Sequence, residues 1–170
     1  MPTLRNYRDH DFEAVLRVHA CAFPTRAESD LVAALIQERQ ARVSLVVEYE
    51  GELAGHVLFS PVTVDERSDV TGGLGLAPLA VLPRFQRVGL GSLLTRRGLA
   101  RAREAGNGFA VVLGSPSFYT RFGFRPAAQS GLRCIYTDGD EFMALELQPG
   151  ALDGVAGLVR YAPQFDALEK

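Results

Sequence analysis

Hydrophobic and polar positions alternate briefly over residues 3–7, enough for one short strand. Asp9 or Asp11 then offers an N-cap, and Phe12, Val15, Leu16 and His19 recur at helical spacing, which predicts a helix to about Cys21. Pro24 breaks the chain. A second helix is predicted from about Ala27 to Gln40, where Leu31, Ala34, Leu35 and Glu38 recur at three and four residues. The segment SLVVEYEGELAGHVLFSPVTVD alternates and is rich in valine and leucine. Glu50-Gly51-Glu52 at its centre reads as a hairpin tip between strands at about 43–49 and 53–64. After the polar loop DERSDVTGG comes GLGLAPLAVLP, an uncharged apolar run with the look of a central strand covered on both faces. Pro83 ends it. A helix follows from Gly89 to Ala105, then a buried strand at 109–114, a helical turn over Ser117–Phe122, a strand after F-G-F, and the strand EFMALEL. From Pro149 onward the apolar residues are spaced without an assignable period.

This order joins a hairpin-rich first half to a βαβ crossover, which predicts α+β or mixed α/β around one central, partly parallel sheet. No internal repeat or low-complexity linker interrupts residues 1–170, and that length suits a single domain. Apolar residues at 47% and charged residues at 22% exclude a disordered, collagenous or disulfide-framework chain. A net charge of −2 argues against nucleic acid as a general partner. The first residues carry charges every few positions, unlike a secretory signal, and no window is apolar for the ~18 residues a membrane span needs. A cytoplasmic protein is expected. Cys21 and Cys134 lack a C-x-x-C partner and read as two buried structural thiols in a reducing compartment. His10, His19 and His56 show no metal-ligand spacing, so no metal is expected.

Glycine changes the picture by position. Ten of the 17 glycines fall between Gly72 and Gly123, and the centre of that stretch is Leu79-Ala-Val-Leu-Pro-Arg-Phe-Gln-Arg-Val-Gly-Leu-Gly-Ser92. A buried strand here runs into a tight turn that opens a helix. Helix N-termini present unpaired N–H groups and partial positive charge, so the amides of about Arg87 to Ser92 could cradle a phosphate. A turn built only for close helix-on-sheet packing is the alternative, and Gly89 and Gly91 alone leave both open. The spacing is not a Rossmann fingerprint, since Leu94 stands at the third glycine position, and no G-K-[ST] makes a P-loop. On the helix, Gly91, Leu94, Thr95, Gly98, Leu99, Ala102 and Ala105 share one half of the wheel, while Arg96, Arg97, Arg101 and Arg103 share the other. Residues 84–104 hold six arginines against one acid, a solvated face or a ligand surface.

The run Gln86-Arg87-Val88-Gly89-Leu90-Gly91 resembles the Q/R-x-x-G-x-G/A signature of the GNAT superfamily of N-acetyltransferases. Downstream, Tyr119, Gly123 and Phe124 are similar to the family's Y-x-x-x-G-F element, and the combination resembles a bacterial predicted-acetyltransferase subgroup. The element order fits across residues 3–147, leaving 148–170 as a C-terminal extension. The resemblance implies an α/β (α+β) fold with a central mixed, mostly antiparallel sheet, splayed at its central strands and flanked by helices. It implies acetyl-CoA as co-substrate. The main chain of Leu79, Ala80 and Val81 would pair with the pantetheine arm, and an N–H in that stretch would face the acetyl carbonyl. After Gln86, the amides of Arg87, Val88, Gly89, Leu90, Gly91 and Ser92 would hold the pyrophosphate.

Tyr119 matches the position of the general acid that protonates the departing thiolate, a task a phenol with pKa near ~10 can perform at neutral pH. Packing among Phe118, Phe122 and Phe124 is its other reading. Two positions depart from the family pattern. Val112 replaces an asparagine that many relatives carry, and Ser115 or Ser117 would have to take over its contact. Residues 74–82 contain no carboxylate to serve as base, which leaves a held water or a carboxylate from elsewhere such as Glu28 or Glu48, both of which read first as surface charges. The implied activity is direct acetyl transfer to a primary amine of a small molecule or peptide. The acceptor pocket would be formed by the 21–30 loop, the 60–72 loop and the C-terminal segment. Six acids against Arg67 across residues 48–69 would either attract a cationic amine or simply solvate a hairpin. The rival reading is a non-catalytic acyl-CoA-binding sensor or scaffold. Strand-sharing homodimers are frequent among such relatives.

Overall fold

Turn chemistry at the first hairpin shows how closely the backbone follows the sequence in the computed structural model, which describes residues 1–169. Strands β2 (Val43–Tyr49) and β3 (Glu52–Val64) pair antiparallel across Glu50 and Gly51. Both turn residues have positive φ, 53° and 80°, the geometry of a two-residue turn matched to strand twist. Strand β1 (Thr3–Asn6) adds antiparallel to β2. Strand β4 (Gly73–Val81) is next to β3 in the sheet, and β5 (Phe109–Leu113) pairs parallel with it. That parallel pairing covers only Gly73–Gly75 of β4, so the two central strands part beyond it. Beyond β5 lie β8 (Phe142–Glu146) and β6 (Arg125–Pro126), both antiparallel, while β7 (Leu132–Arg133) and β9 (Gly157–Arg160) pair with each other. Among the described residues the sheet is therefore nine-stranded, mixed and mostly antiparallel, with four α-helices: α1 (Phe12–Ala22), α2 (Ala27–Gln37), α3 (Leu90–Glu104) and the single turn α4 (Pro116–Tyr119).

The chain divides into two compact units, and β3 and β4 each contribute to both. The first comprises residues 1–59, 78–98 and the segment from Pro163 onward. Its core joins Val15 and Val18 of α1, Leu31, Val32 and Leu35 of α2, and Leu45, Val57 and Phe59 of the hairpin. Val18 packs with Ala80 and Leu82, flanked by Ala22, Phe23, Leu53 and Phe85. Ser29 Oγ donates to the carbonyl of Leu16 at 3.1 Å and locks α2 onto α1. The second unit, residues 60–77 and 99–162, is built on Val62, Val64, Phe109, Val111, Leu132, Phe142, Val155 and Val159.

Several expectations need correction. Helix α2 stops at Gln37, not Gln40. Arg39 is left-handed (φ 61°), and the Gln40 N–H reaches the Leu35 carbonyl at 2.8 Å, a Schellman closure made without the glycine that would have announced it. The buried stripe of α2 is Leu31, Val32 and Leu35, so Ala34 and Glu38 do not define its inner face. Asp11 precedes α1 as its cap residue but makes no side-chain bond to that helix. Its carboxylate instead binds Arg5 at 2.7 and 2.8 Å and the Arg8 N–H at 2.8 Å, and these bonds hold its pKa below the usual carboxylate range. Cys21 is exposed, because the inward stripe of α1 runs through Val15, Val18 and His19; only Cys134 is buried. The unassigned tail supplies β9, which pairs antiparallel with the end of β3 through Thr63 and Val64, and a 3-10 helix at Pro163–Glu169.

Helix α3 lies close to β3 because of one small residue. A Cβ on Gly98 would sit 2.5 Å from Cε1 of Phe59, a ring with no solvent exposure and no room to retreat. We expect Gly98→Ala to lower stability by about 1–3 kcal/mol despite alanine's better helix propensity, read as a lower urea midpoint at unchanged m-value.

Candidate active site

The end of β4, the turn and the start of α3 all belong to the first unit, which gathers Leu79, Ala80, Val81 and residues 86–92 in one continuous feature. Pro83–Phe85 form a 3-10 turn, after which the Gln86 side-chain amide donates to the Val81 carbonyl at 2.9 Å. The family-signature glutamine thus stitches the turn to the strand that precedes it. Arg87 and Gly89 both take left-handed backbone, φ 67° and 94°. Such residues in a turn swing successive N–H groups to one side and form an anion-binding concavity. Strain at the non-glycine Arg87 is a feature the sequence did not reveal. The Gly89 carbonyl accepts the first helical bond, from Leu93 N–H at 3.0 Å, so α3 opens with its first amides beyond the reach of any helical carbonyl. Residues Gln86, Arg87, Val88 and Gly89 are exposed, and a Cβ on Gly89 would meet nothing within 4 Å. Open space, donor amides and a helix dipole together fit a phosphate-bearing ligand. Outward on α3, Arg96, Arg97 and Arg103 are exposed as the wheel predicts, while Leu94, Thr95, Gly98, Leu99 and Ala102 are buried.

Tyr119, Ser115 and Ser117 belong to the second unit. Ser115 precedes α4, whose Pro116 sits at its first position, and its carbonyl accepts the Tyr119 N–H at 3.0 Å. The Tyr119 ring lies edge-on to Phe118 (centroids 4.8 Å apart) and Phe124 (5.7 Å), and Gly114 is required beside it, since a Cβ there would stand 2.5 Å from Cε2. Tyr119 is 9% exposed, and burial pushes its phenol up to about 12. The ring is therefore a core residue and also a phenol that stays protonated at neutral pH. Ser115 and Ser117 are exposed and bond each other, Oγ to Oγ, at 2.9 Å.

Central strand β4 carries no carboxylate, and the tertiary structure explains how the space is used. At Gly75 a Cβ would come within 2.6 Å of the Tyr161 ring, contributed by the C-terminal segment that had no readable pattern. Of the two carboxylates considered in its place, Glu48 accepts from Arg5 Nε at 2.7 Å and is a paired surface charge. Glu28 is half-buried, contrary to its surface reading, and its Oε1 is buried without a hydrogen-bond partner. Reading residues one at a time also missed a buried array in the first unit. His19 Nε2 lies 2.9 Å from His56 Nδ1, and His56 Nε2 lies 2.8 Å from Ser44 Oγ. Burial lowers His19 to about 4 and holds His56 well below its ordinary value. Only the packing of α1 on the sheet brings these residues together. Among the described residues no group of three or more His, Cys, Asp and Glu could hold a metal ion, and no helix is long and apolar enough to cross a membrane.

Residues 3–127 match the acetyltransferase (GNAT) domain family, and the chain belongs to that family. It is 37% identical over 147 residues to the N-acetyltransferase YhbS of Escherichia coli, covering 85% of this chain and 87% of that protein. The crystal structure of YhbS in complex with CoA superposes with a TM-score of 0.90 at 35% identity, covering 97% of this chain and 92% of that one. A GNAT acetyltransferase from Brucella melitensis in complex with acetyl-CoA gives a TM-score of 0.81 at 32% identity, over 98% and 99% of the two chains. The fold is thus the GNAT fold, and the chain is an N-acetyltransferase.

The histidine pair gives a test of the first unit's packing. Both imidazoles are neutral when folded and take up protons below about pH 6.5 once unfolded, so the stability they permit is full above that pH and is lost as pH falls toward about 4. Below pH 6.5 the unfolding free energy should fall with a slope that approaches about 1.4 kcal/mol per pH unit for each histidine as the unfolded imidazole becomes fully protonated. Denaturant melts of the wild type and of a His19→Gln/His56→Gln double variant check this, the variant giving a flatter profile.

Proposed function

We propose that the protein transfers the acetyl group of acetyl-CoA directly to a primary amine. The observation that carries this reading is the β4–turn–α3 feature, where the Gln86 amide fixes the turn and left-handed Arg87 and Gly89 set the amides of a helix start beside an exposed turn. Its likeness to relatives crystallised with CoA and acetyl-CoA supports acetyl-CoA as the co-substrate. In this reading the amides of residues 87–92 bind the pyrophosphate, and the surrounding arginines favour its charge. The main chain of Leu79–Val81 receives the pantetheine arm as an added strand, with one N–H stabilising the oxyanion formed when the amine attacks. Val81 offers its remaining carbonyl lone pair, the other being taken by Gln86. Tyr119 gives its proton to the thiolate as the carbon–sulfur bond breaks. The role needs the protonated phenol, which is the form present at neutral pH. Ser115 and Ser117 stand in for the amide side chain that Val112 cannot provide.

The reading is tested in two stages. A saturating excess of acetyl-CoA should raise the thermal midpoint, since ligand at a hundredfold over Kd stabilises by ~2.7 kcal/mol, and desulfo-CoA should do the same. No shift with either removes the cofactor assignment. Thiol release is then followed over a panel of primary amines; cofactor binding without transfer to any of them would mark a sensor instead of an enzyme. For the residue roles, Tyr119→Phe should lower kcat by ~10²-fold or more with acetyl-CoA affinity nearly unchanged. Gly89→Ala should weaken acetyl-CoA binding at least ~10-fold, because alanine resists the left-handed turn even where space is free.

A further inference from the structure

The acetyl-transfer reading leaves the acceptor's protons without a base, since β4 has no carboxylate and Glu48 is committed to Arg5. We propose that Glu28, on the inward face of α2, binds the acceptor's ammonium group and takes its proton; this assignment rests on the transfer reading above. The helix geometry is the first argument. Leu31, Val32 and Leu35 form the buried stripe of α2, and Glu28 stands three, four and seven residues before them, at the N-terminal end of the same stripe. A carboxylate at such a position is pointed toward the interior by the helix itself. The helix is held in that rotation by the Ser29 hydroxyl bonded to the Leu16 carbonyl.

Satisfaction is the second argument. Glu28 Oε1 is buried and has no hydrogen-bond partner among the described residues. A buried, unpaired carboxylate oxygen is costly, and such an atom is completed by a donor from outside the chain, a water, a cation or a ligand. Gln164, in the C-terminal 3-10 helix that packs on α2, likewise has a buried Oε1 without a partner. Each of these orphan atoms is an acceptor, so the group that completes Glu28 is a donor, and an alkylammonium carries three N–H donors.

Placement is the third. α2 is fastened to α1, and α1 packs through Val18 on Ala80 and Leu82 around the strand end assigned to the pantetheine arm, all within one unit. Glu28 also lies within residues 21–30, the stretch that the sequence assigns to the acceptor pocket, in the part that folds as the first turn of α2. Proton balance closes simply. The ammonium gives its first proton to the Glu28 carboxylate, which is only half-buried and can release it to solvent. The free amine forms the carbon–nitrogen bond, the carbon–sulfur bond breaks, and Tyr119 protonates the thiolate. The second nitrogen proton restores Tyr119.

The test compares wild type, Glu28→Gln and Glu28→Asp as full chains, using n-butylamine and the best acceptor from the amine panel. Glu28→Gln should keep acetyl-CoA affinity within about twofold and an undiminished thermal midpoint, because the glutamine is isosteric and removes an unpaired buried charge. Its kcat/KM at pH 7 should fall by ~10²-fold, and the deficit should close as pH approaches ~10, where the amine loses its proton unaided. Glu28→Asp should fall between the two. Wild-type kcat/KM and pH profile in Glu28→Gln would overturn the assignment and leave acetyl transfer standing. A deficit that is constant with pH and accompanied by a lower thermal midpoint would reduce Glu28 to a packing role. If wild type binds acetyl-CoA but acetylates no amine, the transfer reading fails and this one falls with it.

Discussion

The turn that ends β4 and begins α3 constrains the rest of the first unit. Strand and helix must separate within a few residues, and the backbone does so by placing Arg87 and Gly89 in left-handed conformations while the Gln86 side chain pins the turn to Val81. The direction of α3 then follows, and with it the approach to β3 that Gly98 permits over the Phe59 ring. The same geometry gathers helix-start amides beside an exposed loop. In the proposed reading, structure and ligand chemistry draw on this one local conformation, and strain at a non-glycine residue is of the kind held at functional sites.

Burial does the corresponding work for the titratable groups. Tyr119 is placed by aromatic neighbours and by the absence of a side chain at Gly114, and desolvation moves its phenol further above neutral pH. His19 and His56 are kept neutral by the same effect, linked in a chain that ends at Ser44. Asp11 shows the opposite outcome: it is nearly inaccessible, yet Arg5 and the Arg8 amide hold it ionised. In each case the neighbours set the direction in which the group's pKa moves.

Much of the fold was legible because it is written locally. Periodicity located α1, α2 and α3, Glu50-Gly51 located the hairpin, and the uncharged run before Pro83 located the central strand. The wheel of α3 placed Arg96, Arg97 and Arg103 outward and Leu94, Thr95, Gly98, Leu99 and Ala102 inward, whereas Arg101 is half-buried and Ala105, beyond the helix end, is exposed. Errors arose where a boundary depended on unusual backbone, as at Arg39, or where pairing came from distant segments, as for β7 and β9. A two-residue strand such as β6 has too few positions to show any period.

What the sequence determined by itself is the set of features whose physics is short-range: a glycine-bearing turn after a buried strand, a small-residue helix face, and a tyrosine set among phenylalanines before a G-F bend. Those features identified the family, because each depends on neighbours within a few residues. Only the tertiary structure decided which carboxylates are paired and which is orphaned, that His19 and His56 touch, and that Tyr161 fills the room beside Gly75. The contacts of Arg5 with Glu48, of His19 with His56 and of Gly75 with Tyr161 join residues 37 or more positions apart. Burial and hydrogen-bond satisfaction are properties of the packed surroundings, and no pattern along the chain encodes them.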